Sequence, residues 1–167
     1  MSIPRASELP ELKRWASGFG LIPSSRDFLI ANVSIGSLAS VMELFWPRFV
    51  VQCDCVILEW ACNQNNTAQW HAQLGGDCSA VEKVVNHVHL WNLFAPEDTE
   101  DTEGAEDSST LEEAFLASML EVLAKTWISS ANDQFPDRTF EVGCSNDDSD
   151  YGPTITIWCV SPAGSTA

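Results

Sequence analysis

The clearest hydrophobic pattern in the chain is an apolar stripe at helical spacing in its second half. Leu116, Leu120, Leu123 and Trp127 recur every three or four residues, which is typical of a helix that buries one face. The preceding residues, 110–113, have the sequence Thr-Leu-Glu-Glu, in which a hydroxyl and a carboxylate can bond the free amides of a first helical turn. We therefore predict that a long helix begins at Thr110.

Three shorter segments also have helical patterns. The first is residues 8–17, and the last is residues 79–86, which open on a Ser-Ala-Val-Glu capping pattern. In the middle one, Ser34 or Ser37 can cap a helix that ends before Pro47, because proline has no amide to donate. Its apolar stripe consists of Ile35, Leu38, Met42 and Phe45.

Runs of β-branched and aromatic residues predict strands at 27–33, 87–94, 138–144 and 154–160. Residues 49–60 have the same composition. We predict a hairpin there, with strands 49–52 and 55–60 and a turn at Cys53 and Asp54, since aspartate suits a turn position. The alternative is one continuous strand.

The remaining segments are predicted loops and a tail. They are an amide-rich loop at 63–69, an acidic and disordered loop at 95–109, and a frayed tail at 161–167. With these elements in order, residues 1–167 are predicted to form a single α+β domain. Its expected core is a mixed sheet of about five strands, with helices packed on at least one face and a C-terminal β-hairpin.

Charge excludes two classes of partner. The 167 residues carry 24 carboxylates against 8 lysines and arginines, a net charge of −16. Nucleic-acid phosphates and anionic membranes bind clustered basic side chains, so we expect neither as a partner. Apolar runs are also far shorter than the roughly 20 residues that span a bilayer.

The excess of acid is concentrated in the predicted loop. Seven of the 24 carboxylates lie between residues 97 and 107, where there is no basic residue. A dense anionic surface accelerates encounter with a basic protein, so these side chains are candidate partner-binding residues. They are Glu97, Asp98, Glu100, Asp101, Glu103, Glu106 and Asp107.

Six cysteines raise the question of compartment. The first eight residues contain no apolar signal segment, and the chain has enough apolar residues for a core, so disulfides are not needed. We expect free thiols in a reducing cytoplasm. Cys53 and Cys55 could pair with Cys62 and Cys78 around zinc, but a single residue between two cysteines does not fit the usual knuckle spacing.

His87 and His89 form the sharpest candidate for metal chemistry. Alternate residues of a strand share one face, so both imidazoles could bind one ion. A third ligand would come from a distant residue, and the spacing does not select among Asp54, Cys53 or Cys55, His71 and Asp77. The alternative is that both histidines bond to neighbouring backbone or carboxylates on a partly exposed strand.

Other catalytic signatures do not occur in the sequence. There is no nucleophile elbow, no phosphate-binding glycine loop and no catalytic cysteine signature, so no catalytic residue and no cofactor are predicted. Among seven tryptophans, Trp60 and Trp70 flank the amide-rich loop and are candidate contact residues, since aromatic side chains dominate binding hot spots. A half-buried lid over the core is the alternative for both.

In size, charge and tryptophan content the chain resembles the immunity proteins of bacterial polymorphic toxin systems. Residues 45–50, 86–90 and 135–138 look like signature blocks of an uncharacterised bacterial family. The resemblance implies a small α/β protein that neutralises a partner protein, and no site residue is transferred from it.

The leading hypothesis is therefore a non-enzymatic acidic module, immunity-like or chaperone-like, that engages a basic protein. One alternative is a small metal-dependent enzyme centred on His87 and His89. Another is a homo-oligomeric structural protein that associates through surface tryptophans.

Overall fold

The computed structural model of the chain describes residues 5–20, 22, 24–94, 105–146 and 152–160. Within these ranges there are six α-helices and five strands. The helices are α1 (Pro10–Gly18), α2 (Ser25–Asn32), α3 (Ile35–Phe45), α4 (Gln64–Gln73), α5 (Cys78–Val85) and α6 (Ala105–Gln134). The strands are β1 (Phe49–Gln52), β2 (Cys55–Leu58), β3 (His87–His89), β4 (Thr139–Ser145) and β5 (Thr154–Val160). Short 3-10 helices cover Ala6–Glu8, Glu59–Ala61 and Leu90–Asn92.

The strands form two antiparallel sheets. β1 and β2 make a two-stranded hairpin, and the second sheet has the order β3-β5-β4. The predicted α+β class is therefore confirmed, and so is the C-terminal hairpin, which β4 and β5 form. The prediction of one mixed sheet of about five strands is wrong, because the five described strands divide between two sheets without a parallel pair.

The predicted hairpin at residues 49–60 is confirmed, with its turn at Cys53 and Asp54. Both residues have positive φ, 51° and 66°, as a two-residue turn with the twist of antiparallel strands requires. Aspartate tolerates this left-handed conformation better than most residues do. Phe49 pairs with Leu58 and Gln52 with Cys55, so the second strand ends two residues earlier than predicted.

Two buried polar side chains, Glu82 of α5 and Asn86 directly after that helix, explain why the sheets stay separate. Glu82 Oε1 accepts a hydrogen bond from the Val56 amide of β2 at 2.6 Å, and its Oε2 accepts one from the Cys159 amide of β5. One helical turn later, Asn86 Oδ1 accepts from the Leu58 amide at 2.9 Å. Its Nδ2 donates to the carbonyls of Val56, at 2.8 Å, and Ile157, at 3.1 Å.

The two strand edges thus bond to α5 instead of to each other. β3 pairs with residues 154–156 of β5. Beyond Thr156, Glu82 and Asn86 form hydrogen bonds with the backbone groups of β5. Both side chains are fully buried. Burial raises the pKa of Glu82 above its usual value, against the two backbone hydrogen bonds, which lower it.

The main core forms between α6 and the faces of both sheets. All four residues of the predicted stripe, Leu116, Leu120, Leu123 and Trp127, are buried there, which confirms the sequence prediction. They pack with aliphatic and aromatic side chains from β1, β2, β3, β4 and β5. Cys55, Ile57 and Val81 form a second, smaller buried cluster between β2 and α5.

Two predictions of local structure are wrong. Residues 27–33 form most of helix α2 and not a strand, since the Ser24 hydroxyl caps the helix by accepting from the Asp27 amide at 3.5 Å. Residues 63–69 lie in α4 and not in a loop, because Asn63 caps it by accepting from the Asn66 amide. In both places the capping side chain outweighs the composition of the residues that follow.

The strand predicted at 87–94 is shorter than expected. It ends at His89, and the chain continues as a 3-10 helix over Leu90–Asn92. The reason is the register with β5: His89 lies opposite Thr154, the first residue of that strand, and the next amide, that of Leu90, donates to the Pro153 carbonyl at 2.9 Å.

The predicted acidic loop, 95–109, is only partly described. α6 begins at Ala105, five residues before the predicted start, so Glu106 and Asp107 lie within the helix. Glu97, Asp98, Glu100, Asp101 and Glu103 lie outside the described residues, as does the predicted tail at 161–167.

No single helix in the described part of the chain combines the length and hydropathy needed to cross a bilayer. Helices α2 and α3 pass that test only when taken together, and they are bent by 118° relative to each other.

The bridge made by α5 predicts a large effect of Asn86→Asp. The substitution places a carboxylate oxygen against the carbonyls that Asn86 Nδ2 now serves, so we expect a loss of about 3–5 kcal/mol in the free energy of unfolding. Urea denaturation followed by tryptophan fluorescence measures it.

The matched control is Asn66→Asp, the same change on the exposed surface of α4. It should shift the free energy of unfolding by no more than about 0.5 kcal/mol. Similar effects of the two substitutions would contradict the bridging role of Asn86.

Candidate functional site

The structure exposes an apolar surface on α2 and α3. We call it the α2–α3 face, and its members are large side chains that are 42% to 89% exposed: Leu29, Ile30, Ile35, Leu38, Val41 and Met42. The helix predicted over this region is confirmed, with Ser34 as its cap, but its stripe is not core. Only Phe45, at the C-terminal end, packs against the main core, together with Leu44.

Helix α3 is fixed to the body of the protein at its C-terminal end. The Trp127 indole of α6 donates to the Leu44 carbonyl at 2.8 Å. Just beyond the helix, the Pro47 carbonyl accepts from the Ser130 hydroxyl at 2.7 Å and from Gln134 Nε2 at 3.0 Å. These contacts hold α3 in place while no residue of α2 or α3 is buried.

A groove continues the α2–α3 face onto the body. It has a volume of about 270 Å³. Side chains from α3, from the 3-10 helix after β2 and from the segment after the last 3-10 helix line it: Ser40, Val41, Glu43, Leu44, Trp60, Leu93 and Phe94. Trp60 is 47% exposed, and its ring meets the buried Trp127 ring edge-on, with the centroids 6.5 Å apart. The predicted contact residue Trp60 is therefore an exposed aromatic wall of the groove.

Trp70, the second predicted contact residue, lies elsewhere. It belongs to α4 and is half-buried against the small cluster of Cys55, Ile57 and Val81. Trp60 therefore contacts Trp127 of the main core, and Trp70 contacts the small cluster. Most of the residues between the two tryptophans belong to α4 and not to a loop.

Charge is distributed unevenly relative to this surface. Residues 1–48 contain five basic side chains and four carboxylates, a net charge of +1. The remaining residues, 49–167, contain three basic side chains and twenty carboxylates, a net charge of −17. The α2–α3 face is therefore a nearly neutral apolar surface attached to a strongly anionic body.

His87 and His89 lie on β3, at the edge of the three-stranded sheet. Their rings are 4.8 Å apart and nearly perpendicular, and His87 Nδ1 lies 2.7 Å from the Thr156 hydroxyl. Among the described residues, no third His, Cys, Asp or Glu brings a ligand atom close enough to complete a set with them. Metal binding by this pair stays a prediction.

A different group of potential ligands comes together at the hairpin turn. The ligand atoms of Cys55, His71 and Cys78 all lie within 4.8 Å of one another. They come from β2, from the last turn of α4 and from the first residue of α5. Both thiols donate to the Cys53 carbonyl, at 3.3 Å from Cys55 and 3.4 Å from Cys78. We call these three residues the thiol–imidazole cluster.

A glycine turn brings α4 and α5 into this arrangement. Gly75 and Gly76 have φ of +65° and +83°, a conformation that side chains rarely adopt, and the Gly76 amide donates to the His71 carbonyl at 2.9 Å. Asp77 then caps α5 by accepting from the Ala80 amide. The chain therefore reverses within four residues, which places Cys78 next to the imidazole of His71.

The surroundings of the cluster are apolar and anionic. Burial raises the pKa of the Cys55 thiol, and the neighbouring Cys78 and Glu82 raise it further. Burial also raises the pKa of Cys78, with Glu82 and Asp54 adding to the effect, whereas the hydrogen bond from Cys55 and the charge of Arg138 lower it. Without a cation, both thiols are therefore held in the protonated form.

The sequence pattern does not join these three residues. It offers Cys55 and Cys78 for a four-thiolate site with Cys53 and Cys62, and His71 as a possible partner of His87 and His89. The spacing of 55, 71 and 78 matches no knuckle pattern, because the three ligands come from three elements. Of the features that bring these three residues together, only the Cys53–Asp54 turn and the Gly75–Gly76 turn can be recognised in the sequence.

Comparison with known proteins gives no match: no protein-family model fits the chain, and neither a curated protein nor a solved structure is significantly similar to it. What the protein does must therefore be inferred from its own residues.

Burial predicts an order of thiol reactivity. In chelator-treated protein, iodoacetamide should label the exposed Cys53 at least about tenfold faster than the buried Cys55, because alkylation needs an accessible thiolate. Tandem mass spectrometry of the peptide that contains both residues measures the two rates. Exposed Cys144 gives a reference rate, and the rates at Cys53 and Cys55 should converge in denaturant. Equal rates in the folded protein would contradict the buried position of Cys55.

Proposed function

We propose that the protein is a non-enzymatic binding module that docks a basic partner protein on the α2–α3 face and its groove. The observation that carries this proposal is the concentration of large exposed apolar side chains on one helix pair. Monomeric proteins rarely expose a contiguous apolar surface of this kind unless it binds something. An immunity-like or chaperone-like role, in which the module covers a surface of its partner, agrees with this feature.

The groove supplies the type of contact that binding energy depends on. Trp60 forms one wall, and Val41, Leu93 and Phe94 offer apolar surface beside it. Exposed aromatic residues in such positions are typical binding hot spots, because burying them removes a large apolar area from water. A partner helix or loop that inserts an apolar side chain here would gain contacts with residues that are otherwise in water.

The net charge of the chain supports a basic partner. Residues 49–167 carry a net charge of −17, which attracts a cationic protein and repels a second copy of this chain. A basic segment with apolar residues on one side fits both surfaces: its apolar side chains meet the α2–α3 face, and its lysines and arginines lie over the acidic body. This argument favours a foreign basic partner over the homo-oligomer considered above.

The free thiols support a location in the cytoplasm. All six cysteines are free, including the exposed Cys53 and Cys144, and a reducing cytoplasm keeps them so. This supports a cytoplasmic location for the module and its partner.

Photo-crosslinking at Val41 tests the proposal. A photo-reactive amino acid at Val41 should capture a defined protein of net positive charge in cells that naturally make this chain. The same probe at Val84 should not capture it, because Val84 is equally exposed but lies on α5, away from the groove.

Binding of the purified partner gives the quantitative test. Val41→Gln should weaken it by about tenfold, as expected for one buried valine side chain, whereas Val84→Gln should leave it within about twofold. The affinity should also fall as salt is raised from 50 to 500 mM, because the long-range attraction is screened.

Three results would contradict the proposal. One is a partner whose binding is equally sensitive to both valine substitutions. The second is a dimer in light scattering that Val41→Gln dissociates, which would assign the face to a second copy. The third is co-sedimentation with zwitterionic lipid vesicles that Val41→Gln abolishes, which would assign it to a bilayer.

A further inference from the structure

The geometry points to a Zn²⁺ site formed by the thiol–imidazole cluster, Cys55, His71 and Cys78. This site lies outside the α2–α3 face, and the proposed binding function does not depend on it.

Distances support coordination of one ion by all three residues. In a tetrahedral zinc site, bond lengths of about 2.3 Å to sulfur and 2.0 Å to nitrogen place neighbouring ligand atoms about 3.6–3.8 Å apart. The ligand atoms of the cluster all lie within 4.8 Å of one another. A contraction of about 1 Å, which side-chain rotations can supply, is therefore enough to close them around the ion.

The ligand set selects the metal. Two thiolates and an imidazole are soft to borderline donors, and Cys₂His is a known set for zinc with water in the fourth position. Hard cations such as Mg²⁺ and Ca²⁺ take oxygen ligands and would not bind here.

Electrostatics favour a dication over bare thiolates. The carboxylate of Glu82 disfavours ionisation of both sulfurs, and Asp54 disfavours that of Cys78, where the charge of Arg138 opposes them. Binding of Zn²⁺ displaces the two thiol protons into solvent, so the charge of the cluster changes from zero, as two neutral thiols, to zero, as two thiolates with one dication. The buried site thus gains the ion without a net change in charge, and the neighbouring carboxylates attract the cation.

A zinc ion at this site would join three elements of the fold. Cys55 belongs to the hairpin β1–β2, His71 to α4 and Cys78 to α5, and Trp70 of α4 packs against the buried cluster that contains Cys55. A zinc ion here would fix α4 against the hairpin turn, and its three protein ligands would leave the fourth position open to water.

Cys53 contributes its backbone and not its side chain. Its carbonyl accepts from both thiols, but its own thiol is exposed and does not belong to the three-ligand set. Cys53→Ser should therefore keep zinc affinity within about twofold, and a loss as large as that of Cys78→Ser would overturn the three-residue assignment.

Metal titration of untagged, full-length protein tests the inference. After removal of metal by a chelator, the protein should bind one Zn²⁺ per chain, as measured by elemental analysis and by competition with a chromophoric chelator. Co²⁺ should give the intense near-ultraviolet absorption of thiolate-to-cobalt charge transfer, which requires cysteine ligands. Absence of stoichiometric zinc together with absence of this absorption in the wild-type chain would overturn the proposal, and no variant is needed for that result.

Variants assign the ligands. Cys78→Ser and His71→Gln should each weaken zinc binding by at least about 100-fold, and added zinc should raise the melting temperature of the wild type but not of these variants. The matched controls are Cys62→Ser and His89→Gln, which change half-buried residues outside the cluster and should keep zinc affinity within about twofold.

Two other outcomes would overturn the assignment. Loss of zinc in His89→Gln but not in His71→Gln would place the metal at the edge of the second sheet. A disulfide between Cys55 and Cys78 in protein from reducing cytoplasm would show that the two sulfurs pair with each other. Neither result bears on binding at the α2–α3 face, so failure here is separable from failure of the proposed function.

Discussion

The fold depends on two side chains, Glu82 in α5 and Asn86 at its end, which form hydrogen bonds with the free edges of two strands. The outer edge of β2 and the part of β5 beyond β3 each leave backbone groups without a strand partner. An unpaired backbone group in the interior costs about as much as a lost hydrogen bond, so such edges must be covered. Glu82 and Asn86 make five hydrogen bonds to these two edges from successive turns of one helix. A carboxylate with two acceptor oxygens and an amide with both donor and acceptor are the side chains that can serve two strands at once.

Both candidate sites inherit their geometry from this bridge. Because Glu82 holds β2 against α5, the first residue of α5, Cys78, comes to lie beside Cys55 at the start of β2. At the other end, β2 is followed by the 3-10 helix that carries Trp60, and α5 continues into β3 and the segment that carries Leu93 and Phe94. The beginning of α5 therefore positions the thiol–imidazole cluster. Its other end, through the strands that it holds together, positions the groove residues Trp60, Leu93 and Phe94.

Local signals in the sequence were sufficient where one segment determines its own structure. The stripe from Leu116 to Trp127, the turn at Cys53 and Asp54, and the C-terminal hairpin could be predicted because periodicity and turn chemistry are properties of a few neighbouring residues. The division into two sheets could not, since Glu82 and Asn86 have the same appearance in the sequence as a surface carboxylate and a helix-terminal amide. The thiol–imidazole cluster could not be predicted for a related reason: its ligands come together only after two turns and the hydrogen bonds from α5 have formed. Likewise, the stripe of α3 predicts an apolar face but cannot say whether this chain or another molecule covers it.

The apolar face and the charge of the body act over different distances, and their separation in the chain has a physical consequence. Contacts between apolar side chains form only within about 4 Å, whereas charges interact over a Debye length of about 8–10 Å at physiological salt. Two copies of the chain, each with a net charge of −16, therefore repel each other over this longer distance before their apolar surfaces can touch. For a cationic partner the order is reversed, since attraction comes first and apolar contact then completes the complex. The near-neutral charge of residues 1–48 and the net charge of −17 of residues 49–167 thus favour the proposed basic partner over self-association.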